Sequence, residues 1–183
     1  NCSNQYLSES YAFNDRRGGV LIVNEEGPLR AEAFSSGLRN PVDFAWSPVS
    51  GELYATNNGP DHLGFEQPPE QLAHLKQGSF HGMPWYQFNG ETVFADNCIR
   101  HKAPRSIDKV ERPVATFPAR SAPLGITFVP NEARFGQLAG SALVAFHGSW
   151  ATRSAGDISS RRPPRIVQLI FAGDKVIAQK ELV

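Results

Sequence analysis

The chain has 183 residues, 40% of them hydrophobic, and eighteen basic side chains balance eighteen acidic ones. That is enough apolar surface for one core, and with no positive excess to release counterions from a phosphate backbone or an anionic membrane surface, nucleic acid is not expected as a partner. No run of eighteen apolar residues occurs, so no membrane span is expected; sixteen glycines and fourteen prolines set between short apolar runs favour an all-β protein.

The first residues, NCSNQYLSES, lack a charged segment followed by an apolar one, so no secretory signal is visible and the start reads as a processed or truncated end. Cys2 and Cys98 are the two cysteines, with no Cys or His at ligand spacing; this excludes a zinc or haem-attachment motif and leaves a disulfide between them open. GVLIVNEEGPLRAEAF, from Gly19, predicts a hairpin turning at EEG. In GLRNPVDFAWSP, from Gly37, Val42, Phe44 and Trp46 alternate with Asp43, Ala45 and Ser47, which predicts a strand burying its apolar side. ELYAT, from Glu52, is the next strand, and NNGPDHLG, from Asn57, the loop that follows it.

QPPEQLAHLKQG, from Gln67, is the helix candidate, with Leu72 and Leu75 one turn apart and Gly78 as a stop. Residues 60 to 117 otherwise read as a long irregular insertion, in which GSFHGMPWY, from Gly78, is a loop packing Phe80, Trp85 and Tyr86 against a sheet edge. LGITF, ALVAF, RIVQLIF and KVIAQKELV then predict four successive antiparallel strands, the last two turning at AGD.

PVDFAWSPVSGELYATNNG, from Pro41, and PLGITFVPNEARFGQLAGSALVAFHG, from Pro123, are two copies of one unit: proline, alternating strand, second proline, polar turn, short strand, polar pair. Four-stranded units repeating along a chain build a β-propeller, each blade covered by its neighbours around a central channel. The fold class is therefore all-β, a partial propeller domain over residues 1–183 with one full blade and parts of two others. On pattern alone a free-standing β-sandwich is the alternative.

Loops at one rim of a propeller face the channel mouth, so NNGPDHLG and HGSWATR, from His147, are expected at one site. Gly59 and Pro60 can present backbone carbonyls and Asp61 a carboxylate, donors that suit calcium; an ordinary Asn-Gly turn explains the same residues. Arg39 and Asn40 offer a forked donor and an amide to carboxylate or quinone oxygens, or else form an exposed turn. His147 suits a proton acceptor, a ligand donor or a ring resting under Trp150. Arg120, in RSAP, and Arg153 add positive charge for an anionic ligand. RRPPR, from Arg161, reads as a solvated loop, and His62, His74, His81 and His101, at no metal-ligand spacing, as surface or loop residues.

GLRNPVDFAWSPVSGELYATNNGPDHLG, GSFHGMPW, RSAPLGITF and HGSW, in that order over residues 37 to 153, resemble the soluble sugar dehydrogenases that use pyrroloquinoline quinone, in particular the L-sorbosone and aldose dehydrogenase branch. The resemblance implies a six-bladed propeller with the quinone over the channel and calcium bridging quinone and protein. It also implies a small-molecule sugar substrate, a separate electron acceptor, and a periplasmic or secreted location. By motif, Arg39 and Asn40 would contact the quinone, Gly59 and Pro60 would give calcium their carbonyls, and Asn58 would be a polar neighbour. Asp61, Arg120, His147 and Arg153 complete the cofactor-binding set. In such enzymes a histidine takes the sugar hydroxyl proton while hydride passes to the quinone. None of the five histidines here stands in that motif, so no catalytic residue is assigned, and the chain is expected to be a middle-to-late portion of the enzyme, inactive by itself. The alternative from another class is a non-catalytic propeller module that binds a protein or glycan at its rim.

Overall fold

The computed structural model describes residues 17–183. β1 (Val20–Asn24) and β2 (Arg30–Ser36) form the predicted hairpin, and β3 (Pro41–Trp46), β4 (Leu53–Asn57) and β5 (Glu70–Leu75) form an antiparallel meander. The chain then crosses back, and β6 (Ser79–Phe80) adds in parallel to the end of β2. β7 (Tyr86–Phe88) and β8 (Val93–Ala95) make a small separate hairpin. β9 (Ala115–Phe117) returns to pair with β5, so that one sheet has the order β3-β4-β5-β9. β10 (Pro123–Phe128), β11 (Ala142–Phe146), β12 (Arg165–Ala172) and β13 (Lys175–Glu181) form the second four-stranded sheet in sequence order.

The β3-β4-β5-β9 sheet is the middle layer. Every residue of β4 is buried, and because side chains alternate along a strand, they divide between two cores. Tyr54 joins Leu72, Phe117, Ile126, Val144, Phe146 and Leu169 in the core shared with the β10–β13 sheet. Leu53 and Ala55 point the other way, packing with Leu38, Ala73 and Leu75 against Val20 and Phe34 of the first hairpin. In GSFHGMPWY, expected to be a loop, Phe80 and Trp85 are buried and Tyr86 half-buried, but the stretch carries β6 and opens β7.

Four expectations change. Val42, Phe44 and Trp46 are 43%, 49% and 61% exposed, whereas Asp43 and Ala45 turn inward. Alternation marks two faces of a strand but not the covered one; here Ala45 packs on the core and the Asp43 carboxylate is caught by the Ile126 amide of β10. Residues 67–78 hold strand β5 rather than a helix, because a strand buried on both faces carries apolar residues at any spacing and mimics an i, i+3 pair. The stretch 60–117 is accordingly not irregular throughout, and with β5 and β9 in place a second four-stranded sheet is complete where one full set was expected.

Of the histidines expected at the surface or in loops, His62 and His81 lie in loops with enclosed side chains, and His74 is buried in β5 instead. His62 Nε2 lies 2.7 Å from Asp96 Oδ2, with both side chains enclosed. His74 stacks on Tyr54 at 4.8 Å and meets Glu52 at 2.7 Å, and His81 is 9% exposed beside Ser79 Oγ at 3.1 Å. Cys98 is disulfide-bonded; a pairing with Cys2 lies outside the described residues. His62, Asp96 and Cys98 bring possible ligand atoms within 4.8 Å of one another, but a disulfide sulfur is no thiolate ligand, so the trio is not a metal site in this state.

Candidate functional site

β3 begins and β4 ends at the same edge of the middle sheet, and β10 begins and β11 ends at the matching edge of the next one. Four loop segments therefore meet: residues 39–40, 58–61, 120–122 and 148–151. They enclose a cavity of about 350 Å3 lined by Arg39, Asn58, Gly59, Asp61, Glu70 and Arg120, with Ala122 and Gly148 to Ala151 on the other side. That volume sits at the lower end of the about 300–1,000 Å3 usual for small-molecule sites.

Asn57 explains why Arg39 and Asn40 stand where they do. Its Oδ1 accepts hydrogen bonds from the amides of Arg39 (3.1 Å) and Asn40 (3.0 Å), its Nδ2 donates to Gln71 Oε1, and the Asn58 amide returns a bond to the Asn40 carbonyl. One amide side chain thus holds the 39–40 loop against the end of β4.

Arg120 is 7% exposed at φ 67°, a left-handed conformation uncommon for a side-chain-bearing residue. Its guanidinium engages all five of its N–H donors. Nη1 donates to the Pro60 carbonyl and to Asp61 Oδ1, both at 2.8 Å; Nε and Nη2 donate to the Gly64 carbonyl, and Nη2 also to that of Gln67 at 2.7 Å. The arginine wraps the 60–67 loop around itself. Arg39 Nη2 reaches Asp61 Oδ2 from the opposite side at 3.5 Å, so one exposed carboxylate lies between two guanidinium groups.

Glu70 forms the floor. It is 3% exposed; Oε2 accepts from the Gly59 amide at 2.6 Å and Oε1 from the Arg120 amide at 2.8 Å. Burial pushes its carboxyl above the usual carboxylate range, and those two amides offset part of the rise. The far wall is set by Gly148, whose amide donates to the Ser121 carbonyl and whose φ of 85°, with the Arg162 carbonyl where a Cβ would stand, admits only glycine.

Of the residues singled out in the sequence, Arg39, Asn58, Gly59, Asp61 and Arg120 line the cavity together. Pro60 is buried behind it with its carbonyl engaged by Arg120. Asn40 is exposed and contributes backbone to the rim, not wall. His147 lines an adjoining cleft and stacks on Trp150 at 5.8 Å. Arg153 is turned away, paired with Glu66 at 2.6 Å; that contact, with Arg162, holds the Glu66 carboxyl below its usual range. Glu70 and Asn57 are site residues that the sequence motifs do not single out. The signal for Glu70 is a lone carboxylate in the otherwise apolar run EQLAHL, hidden by the helix-like spacing around it.

The Glucose / Sorbosone dehydrogenase family profile matches residues 21–151. An uncharacterized protein of Borreliella burgdorferi is 30% identical over 132 residues, 72% of this chain and 34% of its own length. The calcium structure of Trichoderma reesei Carbohydrate-Active Enzymes Family AA12 superposes with a TM-score of 0.62 at 19% identity, covering 83% of this chain and 44% of that one. The PQQ-bound form of aldose sugar dehydrogenase from Streptomyces coelicolor superposes with a TM-score of 0.51 at 18% identity, covering 87% of this chain and 35% of that one. The chain thus spans about a third of the curated relative and less than half of these solved structures, and it shares their β-propeller type of fold.

Proposed function

The chain belongs to the glucose/sorbosone dehydrogenase family, and from that premise we propose that the cavity between the Arg39, Gly59 and Arg120 loops is the cofactor end of a sugar dehydrogenase using pyrroloquinoline quinone and calcium. The observation that carries the proposal is the convergence of four loops from two sheets on one opening whose rim holds two guanidinium groups.

The residues fit such a ligand. Asn58 Oδ1 is buried without a hydrogen-bond partner in a side chain that lines the cavity, an acceptor left for a cation or a donor. Gly59 is packed closely behind, since a Cβ there would come within 3.1 Å of Pro68 Cγ. Arg39, partly exposed and held only at 3.5 Å by Asp61, can turn its fork to quinone or carboxylate oxygens. The Gly59 and Pro60 carbonyls and Asn58 Oδ1 are the oxygen donors for calcium, with the Pro60 carbonyl shared with Arg120. The chemistry supplied by the bound group is that of a two-electron acceptor for hydride, with calcium as the Lewis acid.

No histidine lines the cavity among the described residues, so the proton acceptor for the sugar hydroxyl is assigned to no residue of this chain. The substrate is a small aldose or sorbosone-like sugar, and the electrons leave to a separate acceptor. A periplasmic or secreted location is supported by the disulfide at Cys98, which persists in oxidising compartments. The test is a titration of the native protein with the quinone in the presence of calcium, followed by the quinone's absorbance. A saturable change of one equivalent, weakened by a chelator, is expected; an unchanged spectrum would refute the assignment.

A further inference from the structure

Glu70 is a buried carboxylate for which the cofactor chemistry above has no use. It sits on β5, where its neighbours Leu72, Ala73 and Leu75 are core residues. A carboxylate in such a place is expensive to bury unless it is hydrogen-bonded. Its two oxygens are taken by two backbone amides, and the Arg120 charge assists from a distance while that side chain bonds to the 60–67 loop. Gly59 and Arg120, the owners of those amides, are far apart in sequence and belong to two different loops that line the cavity.

We propose that Glu70 is the positioning residue of the cavity: its carboxylate clamps the Gly59 and Arg120 amides together and so sets the aim of the Asn58 to Pro60 oxygens that receive the cofactor and the place of the arginine that braces their loop. This rests on the quinone and calcium reading of the same cavity. The clamp acts on both loops at once. At Gly59 it fixes the orientation of the Asn58–Gly59 peptide, which leads into the Gly59 and Pro60 carbonyls. At Arg120 it holds the backbone of a residue in the left-handed region, and from that backbone the guanidinium reaches Pro60, Asp61, Gly64 and Gln67. Asn58 Oδ1, the unpartnered acceptor, is one peptide from the clamped amide.

Glu70→Gln separates this role from simple packing, because it keeps the shape but replaces one acceptor oxygen by an amide NH2, leaving either Gly59 or Arg120 facing a donor. Amide hydrogen exchange resolved to single residues should quicken at least tenfold at one of these two positions, with Ala55 and Ala73 in the core unchanged. In the same variant the dissociation constant for pyrroloquinoline quinone with calcium should rise at least tenfold, with the circular-dichroism spectrum preserved. Glu70→Asp, one methylene too short to span both amides, should show both effects again. Wild-type exchange at both amides, or a quinone affinity within twofold of wild type in a folded variant, overturns the proposal. Absence of quinone binding by the wild-type chain overturns the cofactor reading itself, a different result from wild-type binding that Glu70→Gln leaves intact.

Discussion

The Asp43 carboxylate accepts a hydrogen bond from the Ile126 amide at 2.9 Å, joining β3 of one sheet to β10 of the next across 83 residues of sequence. Asp43→Ala removes a charged acceptor and leaves that amide unpaired between two sheets. Urea unfolding is expected to show a loss of about 1.5–3 kcal/mol, with Asp43→Asn losing less because one amide oxygen can still accept. A midpoint for Asp43→Ala equal to wild type would mean that the sheets are joined by apolar packing alone.

Arg39 is the guanidinium with freedom to move toward a ligand, since its single carboxylate contact is long and partly exposed. Arg39→Ala should weaken quinone binding by about 1.5–3 kcal/mol and leave the melting temperature nearly unchanged. Isothermal titration checks the first and calorimetric unfolding the second; an unchanged affinity contradicts a contact between Arg39 and the cofactor.

Arg120→Ala is expected to act on stability first. It strands the Pro60, Gly64 and Gln67 carbonyls together, and because losses within one hydrogen-bond network add only in part, a total of about 2–4 kcal/mol is expected. Limited proteolysis should cut within residues 60–67 of the variant and not of wild type. Arg120→Lys should behave almost as badly, because an ammonium with three donors cannot span the same acceptors.

His81 predicts a pH dependence. Burial, with the nearby charges of His74 and Lys76, brings its imidazole down from 6.5 to about 4. The folded state therefore holds the ring neutral where the unfolded chain binds a proton, so stability is full above pH 6.5 and falls as pH drops toward 4. The loss is about 3 kcal/mol. Denaturant titrations at pH 7 and at about pH 4.5 should show this decline in wild type and a shallower one in His81→Gln; equal slopes would count against a neutral buried ring.

The hairpin β1–β2 and the meander β10–β13 are legible in the sequence because short runs rich in β-branched and aromatic residues are separated by glycine-bearing turns, EEG and AGD, so composition and punctuation agree. β5 is not, because enclosure on both faces erases alternation, and with it goes Glu70. The meeting of the Arg39, Gly59 and Arg120 loops follows from the repeat, since equivalent strand ends in neighbouring sheets lie at the same edge. Side-chain direction does not: whether Arg153 turns to the cavity or to Glu66 depends on a partner 87 residues away. For the same reason alternation alone puts Val42, Phe44 and Trp46 on the wrong side of β3, a choice that belongs to the neighbouring sheet.

β4 is enclosed on both faces and runs directly into residues 58–61. The rim it carries is thus an extension of a strand buried along its whole length. Association at this opening should resemble the docking of preformed surfaces, with little entropy lost in ordering the host and rates governed by access and charge.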